Sequence, residues 1–282
     1  MAKARVAVLI SGRGSNMAAL IYAAKAHDCP FEIVLVASNN PDAAGLKLAQ
    51  AEGIATFAQS HKGIKRAAFD DIIDGEVRKA DTNYIALAGY MRLLSPEFVA
   101  KWHGRMLNIH PSLLPEYKGL DMHERALADG VSVSGCSVHL VTAALDDGPV
   151  LGQTEVAVIS GDTPDTLPDR ILIAEHQLYA RVLSTYVARE QQPDWILAKL
   201  DALARALPET EQRPSHGSPG WRTGGEKSGK YFAYFAQHHH GEASMALLVK
   251  TSGTYEQTML IEQDEALYYL PQYYGASGWI GI

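Results

Sequence analysis

The sequence predicts an open, mostly parallel α/β sheet of the Rossmann-like kind, flanked by helices and followed by a smaller α+β unit. Three observations predict it. Short apolar, β-rich runs alternate with helical stretches through the first 190 residues. The first such run ends in a glycine-bearing turn that opens directly into a helical stretch. At Gln191-Gln192-Pro193-Asp194 the chain turns polar, and beyond that point the alternation stops.

Residues 4–10 (ARVAVLI) read as a buried strand, 11–16 (SGRGSN) as a glycine turn, and the stretch from Met17 as a helix. A strand at 31–38, a helix at about 42–52 ended by Gly53, a strand at 54–57, a helix at 65–79 and a strand at 83–88 repeat the unit. Consecutive β-α-β units with short links imply parallel pairing through right-handed crossovers. Ser95 then Pro96 is a helix start, with the hydroxyl at the cap and the proline at the first helical position. Residues 106–110 are the next strand. The runs at 133–142 and 151–158 read as a hairpin carrying Asp146 in its loop, and 165–189 as a long closing helix that tolerates Pro168 only in its first turn. After the linker, 195–207 has helical periodicity and stops at Pro208, 213–230 is rich in Gly, Pro and Ser, and 231–235 and 246–250 read as strands. The chain thus divides into two domains, 1–190 and 194–282. The last residues, Gly278-Trp279-Ile280-Gly281-Ile282, are still apolar, so the expectation is a second unit cut short.

Composition narrows the functional classes. The 282 residues are 47% hydrophobic and 20% charged, enough apolar material for two cores. Apolar runs fall well short of a membrane span, and Ala2-Lys3-Ala4-Arg5 leads straight into a strand rather than a signal-peptide core, so a cytoplasmic protein without a membrane partner is expected. Net charge is −7, with 18 basic against 22 acidic residues up to Glu190 and 7 against 10 after it. Neither half carries the basic footprint of a nucleic-acid binder. Cys29 and Cys136 are too few and too far apart for a disulfide framework or a paired-cysteine metal site. His238-His239-His240 would alternate faces on a strand and cannot all reach one ion, so no metal is expected. Tyr268-Tyr269 and Tyr273-Tyr274 could stack bases, but without basic neighbours they read as core and interface packing. His139 and His176 read as packing or supporting histidines.

The chemistry concentrates in NIHPSLLP at 108–115 and LDDGPV at 145–150. Asn108 and His110 are two apart on a strand and therefore share a face. Pro111 biases His110 toward an extended backbone, and Pro111 with Pro115 stiffens the loop beyond the strand. An isolated Asn-x-His is usually a satisfied buried pair, and an isolated Asp-Asp-Gly-Pro a solvated turn. Together at strand ends they supply a neutral donor, an imidazole and a carboxylate, which can move a proton and hold an oxyanion without a metal. Gly12 and Gly14 let an anion approach the backbone where helix amides are free. The turn has neither the GxxxxGK[ST] pattern nor the final glycine of GxGxxG, so it predicts a small phosphomonoester rather than ATP or NAD.

Six segments in order, SGRGSN at 11–16, AGYMRLLSP at 88–96, MLNIHPSLLP at 106–115, SGCSVHLVT at 134–142, LDDGPVLGQ at 145–153 and AEHQLYARV at 174–182, resemble the phosphoribosylglycinamide formyltransferases. The resemblance implies a formyltransferase-type sheet that moves a formyl group from the co-substrate 10-formyltetrahydrofolate to the amine of glycinamide ribonucleotide, with these small molecules as partners. It implies that Asn108, His110 and Asp146 are catalytic. Gly14, Ser15 and Asn16 would hold the substrate phosphate, and Glu175 would meet the glycinamide end. Arg66, Met91, Arg92, Leu93 and Leu94, with Asn108, would border the folate. Asp146 is expected to raise the His110 pKa. Two positions depart from the family: Asp121-Met122-His123 stands where His-Thr-His is usual, and Asp147 replaces a glycine and is expected to perturb the titration of Asp146. A homodimer stays open.

The second unit, through WILAKLDALARALPETEQ at 195–212, GWRTGGEKSGKYFAYF at 220–235 and GWIGI at 278–282, resembles the amino-terminal part of MmcQ/YjbR-like proteins, α+β domains related in shape to double-wing DNA binders. The resemblance implies an appended regulatory or interaction module. Rival readings are another user of formyl-folate, a formyltetrahydrofolate hydrolase or a methionyl-tRNA formyltransferase, and a nucleic-acid-binding regulator whose first half senses a ligand. The tRNA enzyme calls for a basic domain that this chain lacks, and the hydrolase has no need of the phosphate turn.

Overall fold

The computed structural model describes residues 3–189, 192–215, 217–224, 229–237, 245–265, 267–272 and 274–282. The histidine triplet at 238–240 and Tyr273 lie outside the described residues. The chain forms two compact units, Met1–Ala188 and Arg189–Ile282.

The first unit is built on β1 (Ala4–Ile10), α1 (Ser15–Ala24), β2 (Phe31–Ser38), α2 (Gly45–Ala51), β3 (Ala55–Ala58), α3 (Arg66–Lys79), β4 (Tyr84–Leu87), α4 (Pro96–Lys101), β5 (Met106–His110), α5 (Met122–Ala128), β6 (Val133–Leu140), β7 (Val150–Ala157) and α6 (Thr166–Ala188). Its sheet runs β3-β2-β1-β4-β5-β6-β7, parallel as far as β5 and antiparallel for β6 and β7. The sequence reading of a mostly parallel sheet ended by a hairpin describes this arrangement. Burial explains the apolar runs: Val6, Val8 and Ile10 enter the core under α1 and α6, while Ala7 and Leu9 enter the one shared with α3 and α4. A parallel strand covered on both sides is apolar throughout. Ser95 accepts the N–H of Phe98 at 3.3 Å and Pro96 opens α4, as the cap chemistry predicts. Tyr179 on α6 reaches the carbonyls of Leu87 and Leu107 at 3.1 and 3.0 Å, locking the helix over β4 and β5.

The chain runs outward from β1 to β3 and then returns to place β4 on the other side of β1. That reversal opens a crevice at the carboxyl ends of β1 and β4, where open α/β sheets take their ligands. The 11–16 turn, the 88–95 loop and the end of β5 all meet there.

The second unit comprises α7 (Pro193–Arg205), β8 (Thr210–Ser215), β9 (Ser218–Thr223), β10 (Lys230–Gln237), β11 (Met245–Lys250), α8 (Thr254–Gln263), a short 3-10 turn (Gly275–Ser277) and β12 (Trp279–Gly281). Its antiparallel sheet runs β12-β11-β10-β9-β8. α7 covers one face through Ile196, Leu197 and Leu200 against Trp221 and Phe235; Tyr231, Tyr234, Tyr274 and Trp279 cluster on the other. The Gly- and Pro-rich stretch from 213 holds a β-hairpin with Pro214 opposite Pro219, which its breaker residues conceal. Gly220 is a glycine because a Cβ there would lie 2.7 Å from the Tyr234 ring. Among the described residues no helix is long and apolar enough to cross a membrane.

Candidate active site

The loop after β5 is fixed before any ligand arrives. Ser137 on β6 donates to the Ser112 carbonyl at 2.6 Å and accepts the Leu114 N–H at 3.0 Å, and the Gln153 amide on β7 reaches the Leu114 carbonyl at 2.9 Å. Ser112 closes the loop on the Glu116 carbonyl at 2.6 Å. This brings the Tyr117 carbonyl to 3.1 Å from His110 Nε2, so that nitrogen carries a proton and Nδ1 faces the other way.

What Nδ1 faces is Asp146, at 3.5 Å from Oδ2. Asp146 is held in the left-handed region at φ 49° and receives the Gly119 N–H at 3.0 Å. Such a backbone in a non-glycine residue persists only when its surroundings impose it. Gly148, two residues on, has no room for a side chain: a Cβ there would sit 1.7 Å from the Leu140 carbonyl oxygen. The other oxygen of Asp146 lies 3.5 Å from His139 Nε2. His139 stands opposite Asn108 in the β5–β6 ladder, with its Nε2 3.1 Å from the Asn108 amide nitrogen and its Nδ1 2.9 Å from the Leu140 carbonyl. A carbonyl only accepts, so Nδ1 carries the proton and the neutral ring accepts from Asn108. The Asn108 side chain is thereby turned, with one N–H engaged and the other free.

Burial holds the His110 pKa below its usual value, against the opposing pull of the Tyr117 carbonyl and Asp146. The sequence expectation that Asp146 raises it is right for that one interaction and wrong for the sum, because desolving the imidazolium outweighs the carboxylate. For Asp146, burial is the largest influence and pushes its pKa up, but the His139 and His110 rings, in their protonated forms, and the Gly119 N–H together keep it below the ordinary carboxylate value. Asp147, the second carboxylate, is exposed and pairs with Lys118, whose charge offsets its own.

At the crevice, Gly14 caps α1 at φ 73°, and Ser15 and Asn16 form the first turn. The Asn16 side chain donates to Glu175 Oε2 at 2.9 Å, while its own Oδ1 is buried without a partner. Of the three residues expected at the phosphate, Asn16 thus directs its side chain to Glu175. Glu175 is 6% exposed, and burial pushes its pKa up to about 7 despite the Asn16 amide.

Beside this lies a cleft of roughly 410 Å³ lined by His61, Ile64, Arg66, Met91, Arg92 and Leu93. It gathers four of the residues expected around the folate. Leu94 is not among them; it turns inward to pack on the α3–α4 core. His61 and Ile64 carry no sequence signal, because they reach the cleft only through the fold.

An oriented amide donor, an imidazole and a carboxylate gathered around β5 and the loop after β6, beside a helix-opening glycine turn, are the groups of a group-transfer enzyme. The formyl transferase family model matches residues 4–183, and the chain belongs to that family. Phosphoribosylglycinamide formyltransferase of Escherichia coli (strain K12) is 43% identical over 182 residues, 64% of this chain and 86% of that protein. The crystal structure of phosphoribosylglycinamide formyltransferase from Brucella melitensis, 49% identical, superposes with a TM-score of 0.64 over 66% of this chain and 96% of that one. The trifunctional purine biosynthetic protein adenosine-3 of Bos taurus is 49% identical over 182 residues, and this chain spans only 18% of its length.

Proposed function

We propose that the first unit transfers a formyl group from 10-formyltetrahydrofolate to the amine of glycinamide ribonucleotide; relatives named phosphoribosylglycinamide formyltransferase support the group moved and its acceptor. The observation that carries the reading is the conjunction at one sheet edge of the Asn108, His110 and Asp146 set with the Gly14 turn and the 91–93 cleft. In this reading the phosphate sits on the amides of Gly14, Ser15 and Asn16, Glu175 meets the amine end, and the folate lies along Arg66, Met91, Arg92 and Leu93.

The amine lone pair attacks the formyl carbon, a C–N bond forms, and the carbonyl π electrons move to oxygen. The free N–H of Asn108 is a donor for that oxyanion, and His139 has already oriented it. Burial shifts His110 toward the neutral form, which can take up the proton the amine loses, directly or through a water. Asp146, beside Nδ1, stabilises the imidazolium formed. Breaking the bond to the folate nitrogen then returns the proton to that nitrogen, and no covalent enzyme intermediate is needed. Residues 194–282 stand in this reading as an appended MmcQ/YjbR-like module.

The test is turnover of 10-formyltetrahydrofolate by the intact chain with glycinamide ribonucleotide present. Formylated nucleotide as product supports the reading. Release of formate independent of the nucleotide would replace it with the hydrolase reaction.

A further inference from the structure

Ser11 stands between the two halves of the site. Its backbone begins the 11–16 turn, but its hydroxyl accepts the Met91 N–H at 2.8 Å and donates to Asn39 Oδ1 at 2.6 Å. Met91 lines the cleft, so the first bond ties the turn directly to the cleft wall. Asn39, 4% exposed just after β2, grips His61: its side-chain amide nitrogen lies 3.2 Å from Nδ1 and its backbone carbonyl oxygen 3.1 Å from the same atom. One ring nitrogen cannot donate and accept at once, so the amide donates to it in one tautomer and the carbonyl accepts from it in the other. The ring is held in both. His61 meets Phe69 edge-on at 6.1 Å between centroids, and the Arg92 guanidinium lies 4.9 Å from the Phe69 ring centre.

Two routes therefore lead from one hydroxyl to the cleft. One is the Met91 N–H itself; the other runs through Asn39, His61 and Phe69 to Arg92. Neither Ser11 nor Asn39 lines the cleft. A strand-end serine that merely satisfies one loop amide would not also reach the cleft lining through a buried asparagine. The two arms make a closed network in which a shift of the turn and a shift of the wall are the same event.

Resting on the functional reading above, we propose that Ser11 is a positioning residue that couples the two substrate sites: a phosphomonoester on the 11–16 turn orders the 91–93 wall through the Ser11 hydroxyl, and a bound folate orders the turn in return. Such coupling is reciprocal by necessity.

The experiment measures the dissociation constant of tetrahydrofolate, which has no formyl group to give, with and without saturating glycinamide ribonucleotide. It compares the intact wild-type chain with Ser11→Ala and Ser11→Thr at matched thermal midpoints. The wild type is expected to bind tetrahydrofolate at least about fivefold more tightly with the nucleotide present, Ser11→Ala to lose all but about twofold of that gain, and Ser11→Thr, which keeps the hydroxyl, to retain it. A wild type without coupling, an equal factor in Ser11→Ala, or a loss in both variants overturns the proposal. Formyl transfer is measured on the same wild-type preparation. Coupling without transfer leaves the proposal standing and removes the functional reading; transfer without coupling does the reverse.

Discussion

The two units bury different things. Among the described residues of the second unit, Gln257 is the only fully buried polar side chain, and it is satisfied by the carbonyls of Gly275 and Trp279. The first unit buries Asn16, Asn39, Asp70, His110, His139 and Glu175, among others, and leaves Asn16 Oδ1 and Asp70 Oδ1 without partners. In the second unit, aromatic rings fill the middle instead, with Tyr234 stacked between Tyr231 and Trp279 at 5.0 and 5.1 Å. Burying polar groups costs stability unless they are paired, so their concentration in the first unit is a departure from pure packing that a working site explains.

If the contrast is real, a core change in the second unit acts on stability alone. Trp221→Ala, which empties the space under α7 and removes the indole N–H bond to Asp201, is expected to cost that unit about 3–5 kcal/mol. Hydrogen exchange resolved by unit measures the loss, and formyl transfer by the folded fraction should stay within about twofold. A comparable loss of intrinsic activity would erase the distinction.

The converse change is Asn108→Ala, expected to lower kcat by roughly 10²–10³-fold, as removal of one oxyanion donor does, with little change in thermal midpoint. Near-normal kcat would return Asn108 to packing.

Glu175 sharpens the contrast through pH. Its folded pKa of about 7 lies above the ordinary 4.5, so its favourable contribution is complete below 4.5 and is lost as pH rises through 7. Glu175→Gln should therefore stabilise the chain at pH 8 relative to pH 4, by up to about 3 kcal/mol, while raising KM for the nucleotide. His110, His123 and His176 work oppositely: burial lowers their pKa values, so stability falls as pH drops below 6.5. Thermal midpoints across pH 4–8 read both effects; a Glu175→Gln difference that does not vary with pH contradicts the burial argument.

Gly148→Ala is the smallest change. The new methyl must displace the Leu140 carbonyl, costing about 1–3 kcal/mol, and by moving Asp146 it should reduce kcat more than folate affinity. Unchanged kcat would mean that the loop adapts without moving Asp146.

Sequence legibility follows the same division. β1, β2 and β5 are covered on both faces and announce themselves as apolar runs, and Ser95-Pro96 announces α4 by capping chemistry. Asn108 and His110 were legible because strand periodicity alone puts them on one face. His61, Asn39 and the role of His139 were not, since each acts through a partner at least 22 residues away that only sheet order brings near. The inward turn of the Leu94 side chain was not legible either, because the resemblance gives the loop but not which of its side chains packs on the core. In the second unit, α8 and the hairpin of β8 and β9 escaped notice: Pro214, Pro219 and Gly220 look like breakers until the Tyr234 ring explains the glycine.

The most direct test of the account is single-turnover formyl transfer by the intact chain beside His110→Ala and Asp146→Asn, with tetrahydrofolate affinity measured for each. The account predicts that both variants bind the folate nearly as the wild type does while the chemical step slows by about 10²-fold or more. Transfer at the wild-type rate in His110→Ala would contradict it.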